Sequence, residues 1–413
     1  MKATENTRPL EGKVVLDLTT ALAGPYATLL LAGLGATVIK VENPAVGGDS
    51  SRNNAPYVGA DGPQLTRSDE DDMSISFLGR ARNKQSITLN LKDPRGRALF
   101  LELARDADVV VENYAAGTAD RLGIGYDDVR AVNADVIYTS ISGFGAQGGT
   151  AKAMDSIVQA LSGVMFTAGE PDSAPVRFGL PVGDLLAPLF AVIGTLAAVL
   201  EVERGGPGQQ VDVSMLGALT SLLSIEPFDA YEQVGMATRT GNEVPRLAPF
   251  GIFRARDGWV SVSAPTDRFT AGVFAAIGRP ELGEDPRFAD RDGRVRNADQ
   301  LHRILEEWTC ARSRREAVDV LTSCGAPAAE VREPADAIRD PGVRGRGEVV
   351  ELMHPSLGPT GVAGPGVPIS FSAMDASLDR PAPRLGEHTE QILLERTGLT
   401  TEDIEKLRAD GVV

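Results

Sequence analysis

The alternation of apolar and polar positions divides the chain into two textures. The first begins with Lys13–Leu18 (KVVLDL), an apolar run rich in β-branched residues. Ala23–Gly35 (AGPYATLLLAGLG) follows with helical spacing and a closing glycine, and Thr37–Glu42 (TVIKVE) is apolar again. Strand, helix and strand at these lengths predict a βαβ unit in a parallel sheet. Ser86–Leu91, Ala107–Tyr114 and Asp135–Ser142 predict three further strands, with a polar surface loop over Gly47–Asp72. Asp93-Pro94 opens an intervening helix, Asp as N-cap and Pro at the first helical position. This repetition predicts an α/β fold with a doubly wound, Rossmann-like large domain.

Helical spacing returns at Ala153–Val164 and Asp184–Arg204, and Gln209–Ser214 reads as one more strand. Beyond Ser224 the texture changes. Pro249–Pro265 predicts a β-hairpin turning at Arg256-Asp257-Gly258. Helices with charged faces then run to Cys324. These features predict a smaller α+β domain over 225–330, after a large domain over 1–224. The segment 331–413 is Pro- and Gly-rich, reads as extended, and closes with a short helix at Thr401–Ala409. No internal repeat is evident.

Charge and composition narrow the function classes. A net charge of −16 argues against a general nucleic-acid binder, which needs a basic face. Two cysteines, Cys310 and Cys324, and three scattered histidines have no metal-ligand spacing, so no metal site is expected. The first thirteen residues carry no apolar signal core, which predicts a cytoplasmic protein. The uncharged run from Leu185 to Leu200 is shorter than the ~20 residues that span a bilayer, so a buried helix rather than a membrane segment is expected. Glu42 ends the second strand as in dinucleotide folds. The turn after the first strand, however, is TTALAGP and lacks the GxGxxG phosphate cradle.

Candidate chemistry centres on Gly183-Asp184, a carboxylate at the lip of the apolar run. A lone buried carboxylate is unfavourable unless paired. Asp184 reads equally as an N-cap and as a site residue, because a helix start favours an ionised carboxylate. Asn113 and Tyr114 follow a buried strand, with Arg121 close behind, at the sheet end where α/β proteins bind ligands. Their bland alternative is a strand-to-helix loop with a solvated arginine. Lys152 and Asp155 stand at a helix start, where capping accounts for Asp155.

The segments LEGKVVLDLTTALAGPYATLLLAGLGATVIKVENP, RNKQSITLNLKDPRGR, VVENYAAGTADRLG, KAMDSIVQALSG, GDLLAPLFAVIGTLAAVLE and RLGEHTEQIL, in this order and spacing, resemble the family III CoA-transferases. This CaiB/BaiF group contains formyl-CoA transferase and the carnitine and bile-acid CoA-transferases. The resemblance implies an interlocked homodimer whose large domain is built from both chain ends, with 331–413 returning to it. It implies that Asp184 is a nucleophile that moves CoA from an acyl-CoA to a free carboxylic acid through an aspartyl-CoA thioester. Coenzyme A is then a substrate, and no tightly bound cofactor is implied. The CoA contacts map onto Leu22, Ala23, Leu89, Asn90, Leu91, Lys92, Asn113, Tyr114, Ala115, Arg121, Lys152, Ala153, Met154 and Asp155. Backbone N–H groups of 183–185 are candidate oxyanion donors.

The chain departs from formyl-CoA transferase in three places. Leu22 replaces a Gln, Asn43 replaces an Arg, and GNEVPRLAPFG replaces a glycine-run lid. An acid as small and polar as oxalate is therefore less expected than one with an apolar portion. The α-methylacyl-CoA racemases share the resemblance, but their proton transfer needs a histidine where this chain has Met154. A further acid of that group aligns approximately with Thr266. A protein that only bound acyl-CoA would not need Asp184.

Overall fold

The structure, a computed structural model, describes residues 7–149 and 151–413. Residues 1–6, on which the reading of the N-terminus partly rests, lie outside it. Six strands form one sheet: β1 Val14–Asp17, β2 Thr37–Glu42, β3 Lys84–Thr88, β4 Val109–Glu112, β5 Ile137–Ser142 and β6 Gln210–Ser214. Their order is β3-β2-β1-β4-β5-β6, and every pairing is parallel. The order reverses between β1 and β4, where a crevice opens at the carboxyl ends of the strands.

Period-two alternation sends side chains to both faces. Leu16, Ile39, Ile87, Val110 and Tyr138 join one core with Leu99, Phe100 and Leu103 of helix α3 (Pro94–Ala104). Ile392, Leu393, Ile404 and Val412, from the other end of the chain, complete that core. The opposite face carries Asp17, Lys40, Lys84 and Thr139. Helix α1 (Ala23–Gly33) meets it through Thr28, whose Oγ1 donates to Asp17 Oδ2 at 2.7 Å. Between β2 and β3, the segment Gly47–Asp72, expected to be surface loop, carries two short antiparallel strands, Tyr57–Gly59 and Gly62–Gln64; a third strand, Met73–Ser74, and helix α2 (Ile75–Arg80) follow it.

The apolar helix, labelled α5 below, runs over Val182–Glu203, so its 22 residues are enough by length and composition alone to cross a membrane. The expectation of a buried helix holds for one side only. Ala187, Ala191, Thr195 and Ala198 are buried, and Thr195 Oγ1 lies 2.7 Å from Thr139 Oγ1 of β5. Leu189, Ile193 and Leu200 form an exposed apolar stripe on the other side, with Ile193 63% exposed. The seven-residue helix α4 (Asp155–Leu161) precedes it, and α6 (Met215–Leu223) follows β6.

Charges are buried on the α1 face, and they are paired. Lys84 Nζ lies 2.9 Å from Asp17 Oδ2, and Lys40 Nζ lies 2.9 Å from Asp49 Oδ2. Asp17 also accepts from the N–H and hydroxyl of Thr19. Despite complete burial, the two lysines hold Asp17 well below the usual carboxylate range.

The chain divides into two compact units. The larger takes residues up to Ser162, Gly179–Leu223 and Ile338–Val413. The smaller takes Ser224–Ala337 and also Gly163–Phe178, a segment assigned from the sequence to the large domain. That segment is tied in by Gly241 N–H donating to Gly169 O at 3.1 Å and Arg239 Nη2 donating to Pro171 O at 3.0 Å. Within the smaller unit, Phe250–Ala255 and Gly258–Ser263 form the expected hairpin, and Ala328–Glu330 adds a third antiparallel strand. The segment after 331 is less extended than expected. It contains a hairpin of Val349–His354 with Gly358–Pro365, and helices at Thr389–Arg396 and Thr401–Ala409.

Asp17→Asn keeps the shape of the buried pair but leaves Lys84 without a counter-charge. It is expected to destabilise the fold by about 3–5 kcal/mol, read as a lower urea midpoint at neutral pH. An unmoved midpoint would show that the lysines are not held by this carboxylate.

Candidate active site

The turn between β1 and α1 is fixed from three sides. Lys40 Nζ donates to Thr19 O at 2.8 Å. The Asn113 carboxamide accepts from Thr20 N–H at 2.8 Å and donates to Thr20 O at 2.9 Å. Asp49 Oδ1 accepts from Ala21 N–H at 3.0 Å and from Ser51 N–H at 2.8 Å. Ala21 is thereby held at φ 65°, a left-handed conformation that an alanine enters only under constraint. Leu22 and Ala23 follow directly and begin α1. Gly24 is required there, because a Cβ would lie 2.4 Å from the Thr19 side chain.

Beside this turn a cavity of about 290 Å³ opens at the carboxyl ends of the strands. Thr19, Thr20, Leu91, Lys92, Tyr114 and Thr118 are among its walls. Arg121 stands at its edge, exposed, with Nη2 donating to Thr118 Oγ1 at 2.8 Å. Burial pushes the Tyr114 hydroxyl up to about 12. Asn90 builds the turn into α3, with Oδ1 accepting from Lys92 N–H at 3.2 Å.

Leu89 and Asn113 depart from the expected role of ligand contacts. Leu89 is fully buried in the core, and its N–H is bonded to Glu42 O. Asn113 spends both ends of its carboxamide on Thr20. Ala115 and Lys152 are exposed, whereas Ala153 packs so closely on Gly143 that a Cβ there would lie 2.0 Å away. Met154 is the N-cap residue of α4, 70% exposed, with no capping bond from its side chain.

Asp155 and Asp184 exchange the roles their positions suggest. Asp155 does not cap its own helix. Its Oδ1 accepts from Gly183 N–H at 2.9 Å in the first turn of α5, and its Oδ2 accepts from Gln159 Nε2 at 2.6 Å. Gly183 permits this approach, since a Cβ would sit 3.2 Å from Asp155 Oδ1. Asp184 lies one residue further into α5, whose N-cap position is Pro181, so it is not the cap. Its carboxylate makes no hydrogen bond or ion pair among the described residues. Two of the expected oxyanion donors are already engaged, Gly183 N–H by Asp155 and Leu185 N–H by Pro181 O. Asp155 and Asp184 stand outside the walls of the 290 Å³ cavity.

Burial pushes the Asp184 carboxyl up to about 6, the nearby charge of Asp155 adds to this, and Arg80 acts against it. Arg80 and the pair Lys40 and Asp49 were not singled out from the sequence. Lys40 had a signal, as the one cation inside the apolar run TVIKVE. Arg80 had none.

Known proteins share this fold. The family model described as CoA-transferase family III matches residues 10–389. An acetyl-CoA:oxalate CoA-transferase of Acetobacter aceti is 37% identical over 384 residues, covering 92% of this chain and 93% of that one. A succinyl-CoA:mesaconate CoA-transferase of Haloarcula marismortui is 38% identical over 393 residues, covering 94% and 96%. The crystal structure of a CaiB/BaiF family protein from Brucella suis superimposes with a TM-score of 0.80 at 33% identity, covering 95% of this chain and all of that one. The chain belongs to CoA-transferase family III and is a CoA-transferase.

The charges around Asp184 set an order for its titration. Its carboxyl is expected to titrate near pH 6 by carboxylate-edited infrared or NMR spectroscopy. Asp155→Asn should move the midpoint down and Arg80→Gln should move it up. A midpoint unmoved by either change would show that neither charge acts on Asp184.

Proposed function

We propose that this enzyme moves CoA from an acyl-CoA thioester to a free dicarboxylic acid, with Asp184 as the nucleophile. One observation carries the reading: a half-buried carboxylate on the first turn of an apolar helix, kept unpaired because Asp155 takes the adjacent backbone N–H. An ionised, unpaired carboxylate can attack a thioester without a general base. Its carboxyl stands near 6, so it is charged at neutral pH.

An Asp184 oxygen attacks the thioester carbonyl and the C–S bond breaks. The result is a mixed anhydride and CoA thiolate. The thiolate attacks the Asp184 carbonyl carbon, which releases the donor acid and forms an aspartyl-CoA thioester. A carboxylate of the incoming acid attacks that thioester, giving a second anhydride and thiolate again. The thiolate then attacks the acyl carbonyl of the new anhydride. The product acyl-CoA departs and the Asp184 carboxylate is restored. Every step exchanges one carboxylate or thiolate for another, so no proton is gained or lost. Met154, which cannot carry a proton, is compatible with this chemistry and not with racemisation.

CoA would lie along the carboxyl ends of the strands, with Leu91, Lys92 and Tyr114 from the cavity and Arg121 and Lys152 as exposed cations for its phosphates. The relatives named above act, by their names, on oxalate and mesaconate, both dicarboxylic acids. Apolar Leu22 favours an acid with carbons between its carboxylates. We also propose that a second copy of this chain covers the stripe of Leu189, Ile193 and Leu200, because a soluble protein rarely leaves such a patch open.

Asp184→Ala should abolish CoA exchange between acyl-CoA and free acids. Wild-type protein incubated with acyl-CoA should carry CoA on Asp184, released by hydroxylamine and visible by mass spectrometry. Undiminished exchange in the variant would overturn the mechanism.

Sedimentation should give about 87 kDa, twice the 43.5 kDa of the chain. Ile193→Glu should shift that mass toward one chain. A wild-type monomer would refute the second copy.

A further inference from the structure

Among the described residues, most buried cations of the large unit have a carboxylate or carbonyl partner. Lys84 faces Asp17 at 2.9 Å and Lys40 faces Asp49 at 2.9 Å. Arg52 grips both oxygens of Glu42, with Nε at 2.8 Å from Oε1 and Nη2 at 2.7 Å from Oε2. Arg82 donates to the carbonyls of Gly79 and Pro365. Arg80, the last residue of α2, differs. Its Nε is sealed from solvent without an acceptor, and its guanidinium has no hydrogen bond or ion pair among the described residues. It lies within the fields of two carboxylates, Asp49 and Asp184, and is bonded to neither. Asp49 holds the Ala21 turn, and Asp184 is the proposed nucleophile. Burial draws the guanidinium down from its ordinary value while the two carboxylates support its charge.

A guanidinium offers five donors in a rigid fork that fits the two oxygens of a carboxylate. Sealing its Nε from solvent without an acceptor is unfavourable, so an anion that enters beside it is favoured. The chemistry at Asp184 decides which anion that is. The phosphates of CoA lie at the far end of the pantetheine arm from the thioester that Asp184 attacks. Asp184 itself must remain free to react. The group that comes within reach of both residues therefore belongs to the acyl chain or to the acid. Without Arg80, a second carboxylate there would meet the unpaired charge of Asp184 and the nearby charge of Asp155.

We infer that Arg80 is a specificity-determining residue: it holds the non-reacting carboxylate of a dicarboxylic acid, or of that acid's CoA thioester, while the other end reacts at Asp184. This rests on the nucleophile assignment made above. It differs from an oxyanion role, which would serve every acid alike.

The test compares acids of equal length with and without the second charge: glutarate against valerate, and succinate against butyrate. The readout is kcat/KM for CoA transfer to each. In Arg80→Gln the dicarboxylate-to-monocarboxylate ratio should fall by about 100-fold, chiefly through KM. Arg80→Lys, which keeps the charge without the fork, should fall between this variant and wild type. Wild-type enzyme should likewise prefer glutarate to its monoamide, a comparison that needs no variant to fold. An unchanged ratio, or equal losses for both acids of a pair, would overturn the assignment to Arg80. Transfer to no acid at all by wild-type enzyme, with no adduct on Asp184, would instead overturn the nucleophile reading and this inference with it.

Discussion

The structure depends on keeping ions paired where water cannot reach. Asp17, Lys40, Lys84, Asp49 and Glu42 are all buried within the large unit. Ions removed from water are tolerable only with close partners. Here the partners include the loops themselves. Lys40 bonds Thr19 O, Asp49 bonds Ala21 N–H, and Glu42 bonds Asp49 N–H at 2.9 Å. The network is complete only when the turn before α1 and the loop after β2 are in place. Loops that would otherwise be the softest parts of an α/β protein are thus coupled to its core, and the cavity they border inherits that rigidity.

Two carboxylates, Asp155 of α4 and Asp184 of α5, divide their labour. Asp155 is committed to Gly183 N–H and Gln159, so it serves the backbone. Asp184 is free, and it feels Asp155 as a like charge and Arg80 as an opposite one. A carboxyl pushed up to about 6 is a better electron donor than an ordinary aspartate, and it still titrates below neutral pH. Both properties suit the nucleophile proposed for this site.

Much of the sheet was legible because each strand is a short apolar run bounded by turn residues, as in KVVLDL and TVIKVE. The hairpin at Asp257-Gly258 was legible for the same local reason. Asp155 was singled out from the sequence, but its partner was not, because the bond crosses 28 positions of sequence. Leu89 lies just past the end of β3, where its side chain is fully buried in the core. The exposed side of α5 was misread because apolar spacing looks alike whether it meets a core or an open surface. Arg80 was missed since nothing local distinguishes a sequestered arginine from a solvated one.

The large unit is closed by residues from opposite ends of the chain. Ser86 N–H of β3 bonds the ring of His388, 302 positions later, and Asn90 N–H bonds Val412 O. During translation the first five strands leave the ribosome long before Ile392, Leu393 and Ile404 exist to cover them. The smaller unit is synthesised in that interval and brings a core of its own. The nascent large unit must therefore wait with one apolar face open, a stage at which chaperones that recognise bare sheet would find it.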